Sequence, residues 1–264
     1  MLLKRRVELA GVWLDELDER IIISGIDEAA GKENISAVGS SAGNGQRITG
    51  RRRDTLDVTV KFQMAIKNGD MQARSELLDK VNAWAANGGW LRVGHRRSKR
   101  LLVVLAQAPG GGDMFSWTNE YTIVFRAYSL PYWSDTAATT VQSKSKKSTT
   151  TSIDVPGNTE TVADITVENM SGAKIDRISI TVGDSKMDFT GLAMTGTESL
   201  VIEHVHRADI FYMRARMKDG DSTRTVLQKR TGANDFYVQP GTRQVVVEAD
   251  RAVQTTVSIK GRYL

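Results

Sequence analysis

Alternation of apolar and polar residues predicts β-strands along most of this chain. The clearest example is a stretch in which Leu56, Val58, Val60 and Phe62 alternate with Thr55, Asp57, Thr59 and Lys61. A period of two places one set of side chains on each face of a sheet. The pattern therefore predicts a strand with one buried face and one face in contact with water.

The period changes to that of a helix at one place in the chain. Apolar residues recur at spacings of four, four and three, at Ala73, Leu77, Val81 and Trp84. Asp70 is of a type that caps helix N-termini, and Gly88-Gly89 is a typical stop signal. The sequence predicts an amphipathic helix over residues 71–87, with Trp84 in the core against the sheet.

Strands are predicted around this helix in the rest of the first half. An opening strand is expected over residues 7–14, and Ile21-Ile22-Ile23 is expected to be its partner. Further strands are predicted at 90–93, 100–107 and 116–128, and Pro109-Gly110-Gly111-Gly112 is predicted to form the turn between the last two.

Residues 27–54 are polar and glycine-rich, which predicts a long loop or an extended hairpin arm. The segment ends in the densest basic run of the chain, Arg51-Arg52-Arg53. These three arginines are candidates for phosphate contact, for a salt network at a subunit interface, for the wall of a channel, or for a solvated loop. An interface ranks above nucleic-acid binding because no aromatic residues are interleaved with the basic ones.

The second half contains many short β-like runs and no helical period. Strands are expected at 161–168, 175–182, 186–189, 200–202, 210–213, 223–227, 236–238, 244–247 and 256–259. Such spacing is typical of a β-sandwich or barrel. Residues 134–152 are rich in Ser, Thr and Lys, and are either a polar linker or a first strand. The predicted domains are 1–133, a sheet with one helix, and 134–264, a β-sandwich, so that the fold class is mainly β.

Composition and charge narrow the function classes. The chain has 264 residues, with 36 Lys+Arg against 31 Asp+Glu. Up to Trp133 there are 19 basic and 15 acidic residues, and after it 17 and 16, so the basic surplus lies mostly in the first half. A dedicated nucleic-acid binder usually has a denser basic face. The absence of cysteine excludes disulfides, thiol nucleophiles and thiolate metal sites. No apolar run is long enough to predict a signal peptide or a membrane segment.

No motif predicts catalysis, and we expect no enzymatic activity, no cofactor and no metal. His204 and His206 would share one strand face near Asp209, but a metal needs a further ligand, so we interpret them as part of a polar face. The carboxylates of Asp15, Glu16, Asp18 and Glu19 are interpreted as a solvated turn, and His95 as part of a solvated basic loop.

The order of these features resembles the distal tail protein family of long-tailed (siphovirus) bacteriophages over nearly the whole chain. The residues that carry the resemblance are the helix with Trp84, then Gly89-Trp90-Leu91-Arg92-Val93, the strand ending at Tyr128, and Leu130-Pro131-Tyr132-Trp133. Near the end, Val238-Gln239-Pro240-Gly241-Thr242-Arg243-Gln244-Val245 resembles a Pro-Gly-x-Asn turn of the family, with Gln244 in place of the Asn. The Arg-rich 27–54 region departs from the family pattern.

The resemblance implies a structural protein of the virion, made in the host cytoplasm and located at the phage tail tip or baseplate. The first domain would form a hexameric hub ring, and the second, a galectin-like β-sandwich, would project outward. The homo-hexamer would join the tail tube protein to a tip hub or tail-associated protein, with receptor-binding proteins as further candidate partners. DNA would pass through the ring channel without specific binding.

Residue roles follow from this reading. Arg51, Arg52 and Arg53 are candidate interface or channel residues, and Trp84, Pro131 and Trp133 are expected to be critical for the fold.

The alternative function is a carbohydrate-binding adhesin that recognises the host surface through the second domain. Sugar sites usually stack an aromatic side chain on the sugar ring. No Trp follows Trp133, and most of the later aromatics lie inside apolar runs, which favours a core role for them: Phe189, Phe211, Tyr212, Phe236, Tyr237 and Tyr263. This favours the structural hub.

Overall fold

The structure is a computed structural model of the chain, and it describes residues 5–29, 33–39, 46–67, 70–109, 120–207 and 211–264. The chain forms two compact units. The first contains residues 1–133 together with 206–210, and the second contains residues 134–205 and 211–264. Neither helix among the described residues is long and apolar enough to cross a bilayer.

The first unit is built from nine strands and two helices within the described ranges. The strands are β1 (Val7–Leu9), β2 (Val12–Trp13), β3 (Ile21–Ala29), β4 (Glu33–Gly39), β5 (Gln46–Arg53), β6 (Leu56–Met64), β7 (Gly89–Val93), β8 (Lys99–Gln107) and β9 (Glu120–Ala127). The helices are α1 (Leu14–Leu17) and α2 (Met71–Ala86). Seven of the strands form an antiparallel sheet in the order β2-β1-β7-β8-β9-β6-β3.

The alternating strand predicted from the sequence is β6, and its two faces differ as expected. Val58, Val60 and Phe62 are fully buried. Phe62 stacks on Tyr121 of β9, with ring centroids 5.4 Å apart. On the other face, Asp57 accepts two hydrogen bonds from the guanidinium of Arg126, at 2.6 and 2.7 Å. This bidentate pair raises the pKa of Arg126 above its ordinary value.

The opening segment folds differently from its prediction. A tight turn at Ala10 and Gly11, both with positive φ, divides it into β1 and β2. Residues 14–17 then form α1 rather than continuing a strand. The predicted partner, Ile21–Ile23, pairs with β6 and not with β1, whose neighbours are β2 and β7. The sequence showed two strands but not which strands they pair with, because pairing depends on the path of the intervening chain.

Strands β4 and β5 of the polar 27–54 region form a hairpin arm, whereas residues 27–29 belong to β3. Strands β4 and β5 pair with each other in a two-stranded sheet of their own. Two apolar side chains on β4, Ile35 and Val38, are 52% and 59% exposed. At the base of the arm, the Asn34 amide donates to Asp54 Oδ1 at 2.7 Å. An isolated two-stranded hairpin is marginally stable in water, and the described side chains of β4 are exposed.

The helix α2 begins and ends close to the predicted residues. The Asp70 side chain accepts from the Ala73 amide at 3.0 Å and caps the N-terminus. The fully buried residues include Leu77, Val81 and Ala85, so the buried stripe ends one residue beyond the predicted Trp84. The close approach of strand β8 explains the glycine that follows the helix. A Cβ on Gly88 would lie 2.4 Å from the carbonyl oxygen of Val103, and its φ is +60°.

Trp84 is half-buried, and its contacts join three parts of the first unit. Its indole Nε1 donates to the carbonyl oxygen of Val12 at 3.0 Å. Its ring lies edge-on to Phe125 at 5.8 Å. The fold-critical role of Trp84 stays a prediction. The contacts with Val12 and Phe125 are the interactions that a substitution would remove.

Replacing Trp84 with alanine is expected to lower the free energy of unfolding by about 3 kcal/mol, the low end of the range for large aromatics, because part of the ring is exposed. Trp84→Phe keeps a ring beside Phe125 but loses the hydrogen bond to Val12, and is expected to cost about 1 kcal/mol. Urea denaturation followed by circular dichroism measures both. Equal stability of the parent and the alanine variant would show that the helix is not anchored through this residue.

The second unit consists of short strands, in agreement with the predicted class. They are β10 (Trp133–Asp135), β11 (Thr139–Ser145), β12 (Ser148–Val155), β13 (Thr161–Asn169), β14 (Ile178–Val182), β15 (Ser185–Phe189), β16 (Ser199–His206), β17 (Phe211–Asp219), β18 (Ser222–Thr225), β19 (Arg230–Gly232), β20 (Tyr237–Val238), β21 (Gly241–Ala249), β22 (Val253–Ile259) and β23 (Arg262–Tyr263). A 3-10 turn lies at Leu227–Lys229. The mainly-β fold class is confirmed.

Two antiparallel sheets of the second unit share one apolar core. One sheet has the order β11-β22-β13-β16-β17-β18, with β20 beside β13, and the other has the order β12-β21-β14-β15-β19. Buried side chains from both sheets form a single cluster, for example Ile165 from the first and Ile180 from the second. The unit is therefore a β-sandwich. Residues 134–152, for which a linker and a strand were both open, contribute β11 and part of β12. Pro240 and Gly241 form the turn that leads into β21, where Gly241 has φ +93°.

Candidate functional site

The described part of the chain contains no group of three or more His, Cys, Asp or Glu side chains placed to hold a metal ion. The positions with unusual chemistry are a cleft at the base of the arm, a face rich in Arg and Trp in the first unit, and a buried histidine in the second. Each brings together side chains from separate parts of the sequence.

The cleft at the base of the arm contains Arg53, the last of the three candidate arginines. Its volume is about 480 Å³, and it is lined by Arg53, Asp54, Thr55, Tyr128, Ser129, Pro131 and Tyr132. The Arg53 guanidinium lies over the Tyr132 ring, 5.6 Å from its centroid. The backbones of Arg51 and Arg52 lie in β5, opposite Ile35 and Asn34. The side chains of these two residues lie outside the described part of the structure.

The remaining fold-critical candidates, Pro131 and Trp133, differ in their exposure. Pro131 is half-buried and lines the cleft. Trp133 is 1% exposed and is among the largest fully buried side chains of the chain. The Arg96 guanidinium lies 5.2 Å from the centre of the Trp133 ring. Their importance for stability stays a prediction.

Strands β2, β1, β7 and β8 and the residues next to them present a surface that we term the arginine–tryptophan face, formed by Arg6, Trp13, Trp90, Arg92, Arg97 and Arg100. Strand register aligns Trp13 with Glu8, and Glu8 with Arg92. The Arg6 guanidinium lies 4.3 Å from the Trp13 ring, and the Arg100 guanidinium 4.0 Å from the Trp90 ring. A cleft of about 220 Å³ opens between Arg6, Trp13, Arg92 and Arg97.

Sequence reasoning did not identify this face. The available signal was the alternation of Arg6 with Glu8 and of Trp90 with Arg92, which places each pair on one side of its strand. Two strands that lie more than eighty residues apart along the chain become neighbours only through the pairing of β1 with β7.

The predicted solvated turn at residues 15–19 is instead an ion-pair cluster. The Arg6 guanidinium donates to Asp15 at 3.0 Å and to Glu16 at 2.7 Å. The Asp18 carboxylate accepts from Arg20 Nε and Nη2, both at 2.8 Å. The hydrogen bond from Arg20 lowers the pKa of Asp18 below its usual range. His95 is likewise paired rather than simply solvated, since its Nε2 lies 2.6 Å from Glu28. Arg6 lies nine residues before Asp15, and Glu28 lies 67 residues before His95, so the spacing of neighbouring residues did not reveal these pairs.

The second unit contains a buried histidine held by two aspartates. The side chain of His204 is 0% exposed, which corrects its interpretation as part of a polar surface face. Its Nδ1 lies 2.8 Å from Asp164 Oδ1, and its Nε2 lies 2.5 Å from Asp235 Oδ1. Phe211 stacks on the imidazole at 5.6 Å. A neutral imidazole has only one N–H, whereas two carboxylates each require a donor, so the geometry fits a protonated, positively charged ring.

The charge balance around His204 determines its titration. Burial alone would lower the pKa of His204, but the hydrogen bonds and charges of Asp164 and Asp235 outweigh burial and raise the pKa above its ordinary value of 6.5. The Arg262 guanidinium also lies near Phe211, 5.2 Å from its ring centroid. The carboxylates are the groups that hydrogen-bond the imidazole, so their negative charge dominates.

The stability of the second unit is expected to fall as the pH rises above 6.5. Because the folded state binds the His204 proton more tightly than the unfolded state, the stabilisation is complete below the unfolded pKa of 6.5 and is lost as pH passes through the higher folded pKa. Melting temperatures across this range should show the decrease in the parent and in a His95→Gln control. A parent profile that is flat from pH 6 to 9 would contradict a protonated His204.

The surface of the second unit offers a shallow cleft and two exposed aromatic side chains. The cleft has a volume of about 260 Å³, and its polar lining residues include Arg177, Asp188, Glu248 and Asp250. Tyr212 and Tyr237 are 42% and 45% exposed, which corrects their assignment to the core. Neighbouring residues on a strand face opposite ways, so the burial of Val238 in β20 directs Tyr237 outward.

Comparison with known proteins gives a match at the level of fold. No protein-family model matches the sequence, and no curated protein sequence matches it. Among solved structures, the Dit (gp 19.1) protein of phage SPP1, described as a paradigm of the hub adsorption apparatus in phages that infect Gram-positive bacteria, superposes with a TM-score of 0.68. The match covers 98% of this chain and 99% of the SPP1 chain, at 11% sequence identity.

Chains of the phage p2 baseplate in its activated conformation, with strontium and with calcium, match with TM-scores of 0.46 and 8% identity. Those matches cover 97% of this chain, and 97% and 98% of the baseplate chains. A TM-score below 0.5 is too low to carry an argument, so the comparison depends on the SPP1 protein. Because that likeness includes both units from end to end, the chain has the fold of the siphovirus distal tail (Dit) proteins, as its pattern of motifs predicted.

Proposed function

We propose that this protein is a structural component of a siphovirus tail tip, where it forms a hexameric hub ring that joins the tail tube to the tip or baseplate and encloses the DNA exit channel. The observation that carries the proposal is the fold likeness to the SPP1 hub protein over nearly the full length of both chains. In this role the chain is a non-enzymatic part of the virion, and its partners are other tail proteins.

Strand edges and exposed apolar side chains of the first unit support the ring proposal. In the described residues, strands β2 and β3 are the edges of its sheet. An unpaired strand edge can hydrogen-bond to another chain. Ile22 on the edge strand β3 is 53% exposed, and Ile35 and Val38 are exposed on the arm. Six copies related by rotation can cover these residues in head-to-tail contacts without any special sequence motif.

We propose that the first domain, residues 1–133, makes the ring contacts and that the second domain, residues 134–264, projects from the ring. The arm would contact a neighbouring subunit or line the channel, with Arg51, Arg52 and Arg53 at that contact. The partners would be the tail tube protein above and a tip hub or tail-associated protein below. DNA would pass through without specific recognition, in keeping with the small net charge of +5.

Electron microscopy of the purified protein tests the proposal directly. Class averages with six-fold symmetry and a central hole, together with a hexamer mass by light scattering, are the expected result. A monomer at concentrations of tens of micromolar would contradict a self-assembling ring. Addition of the tail tube protein should then produce a complex that contains the ring.

A second candidate function is recognition of host-surface carbohydrate by the second unit. The observation that favours it is the exposure of Tyr212 and Tyr237, since an exposed aromatic ring can stack on a sugar. A glycan array probed with the intact protein distinguishes the candidates. Saturable glycan binding that is lost in Tyr212→Ala or Tyr237→Ala would support the adhesin. If no glycan binds, the structural hub is the one candidate function that remains.

A further inference from the structure

The arginine–tryptophan face of the first unit has more positive charge than the carboxylates on it can neutralise. Arg6 is paired with Asp15 and Glu16. Arg92 is paired with Glu8, with 2.8 Å between Nη1 and Oε2. Within the described ranges, no carboxylate forms an ion pair with Arg97 or Arg100. Two of the four arginines on the face therefore lack an anionic partner.

Arg100 is the group for which this imbalance matters most. It is partly buried against Trp90, and its Nε is buried without an acceptor among the described residues, as is the Nε of Arg92. Continuing the register of β7 and β8 by one residue places Arg92 directly opposite Arg100. Burial lowers the pKa of Arg100, and repulsion by the Arg92 charge adds to the effect. A cation withdrawn from water next to another cation is destabilising unless an anion joins it.

We propose that the arginine–tryptophan face is a docking site for an acidic segment of another protein, whose carboxylates pair with Arg97 and Arg100 while its backbone lies across Trp13 and Trp90. Arg92 lies between the two unpaired arginines, because its Nη2 donates to the Arg97 carbonyl oxygen and its charge faces Arg100. The site therefore spans the 220 Å³ cleft and the neighbouring Arg100–Trp90 stack.

The chemistry of the face favours carboxylates from a protein over the phosphates of a nucleic acid. Glu8, Asp15 and Glu16 lie among the arginines, and these negative charges would repel a continuous phosphate backbone. Nucleic-acid affinity comes from a run of unneutralised cations, whereas here only Arg97 and Arg100 lack a carboxylate partner among the described residues. The planar fork of arginine matches a carboxylate, and Trp and Arg are the residues that dominate protein–protein contacts.

Binding of a fluorescein-labelled polyglutamate peptide, measured by fluorescence anisotropy, tests the proposal on the full chain in whichever oligomeric state it adopts. We expect saturable binding that weakens as salt increases. Arg100→Gln should weaken it at least about tenfold, because the variant removes a partly desolvated cation from the contact. The control is Arg251→Gln, which removes an exposed arginine from the second unit. Its net charge equals that of Arg100→Gln, but it should bind the peptide as tightly as the parent does.

Two further variants separate binding from folding. Arg100→Lys keeps the charge but not the fork, and its affinity should fall between those of the parent and Arg100→Gln. Arg97 is exposed, so Arg97→Gln should fold normally and also weaken binding. Circular dichroism confirms the fold of each variant.

Three results would overturn the proposal: no saturable binding of the peptide by the parent, equal affinities of Arg100→Gln and Arg251→Gln, or tighter binding of oligothymidylate than of polyglutamate. The last would assign the face to nucleic acid. Because the peptide assay needs no ring, its outcome is independent of whether the chain forms a hexamer.

Discussion

Replacing His204 with phenylalanine is expected to lower the free energy of unfolding of the second unit by about 3–5 kcal/mol. Phenylalanine retains the ring and its stacking on Phe211, but removes the charge and both N–H donors. Asp164 and Asp235 would then face an apolar ring, and Asp235, whose side chain is only 12% exposed, would lose its cationic partner. Calorimetry of the full chain measures the effect as a lower melting temperature of the second unit.

Two controls distinguish the charge effect from loss of packing. His95→Phe removes a histidine that also contacts a carboxylate, but its side chain is 54% exposed, and the change should cost less than about 1 kcal/mol. Adding Asp164→Asn and Asp235→Asn to His204→Phe removes the stranded charges and should restore part of the stability. If the triple variant is no more stable than His204→Phe, electrostatics is not what holds this cluster together.

Changing Arg51, Arg52 and Arg53 together to glutamate is expected to dissociate the proposed hexamer at low micromolar concentration. If each reversal costs about 1 kcal/mol at a contact, the three together weaken each subunit contact about a hundredfold. The folded subunit should remain intact, since β5 pairs only with β4 among the described residues. Light scattering gives the mass, and circular dichroism gives the fold.

The matched control changes Lys144, Lys146 and Lys147 to glutamate. These lysines are exposed on the β11–β12 hairpin of the second unit, and the substitution alters the net charge by the same amount. The control should retain the hexamer mass. A ring that survives the arginine changes would remove these residues from the subunit contact and leave the channel wall or a solvated loop as their location.

The local sequence pattern was sufficient for most of the elements. The period of two in β6 and the period near 3.6 in α2 are properties of consecutive residues. The cap at Asp70 and the stop at Gly88 each lie within one turn of an end of the helix. The order of these elements was also sufficient to indicate the distal tail protein fold. Sequence identity of 11% with the SPP1 protein shows that order and spacing, rather than identical residues, carry that resemblance.

The partners of charged and aromatic side chains required the tertiary structure. In the sequence, His204 is 40 residues away from Asp164 and 31 residues away from Asp235. In the folded chain, both aspartates contact its ring. Trp84 was predicted to lie in the core against the sheet, yet it is half-buried, and its indole donates to the Val12 carbonyl, 72 residues away.

Sequence by itself determined most of the stretches of this protein that are strands or helix, since that depends on neighbours within a few residues; residues 14–17, which form α1, are an exception. It also determined the mainly-β class, whereas it left a long loop and a hairpin arm both open for residues 27–54. Only the tertiary structure decided strand partners, the burial of His204, and the convergence of Arg92, Arg97 and Arg100 beside two tryptophans. The physical reason is that Coulombic and hydrogen-bond energies depend on distance in space, and chain folding sets those distances between residues far apart in sequence.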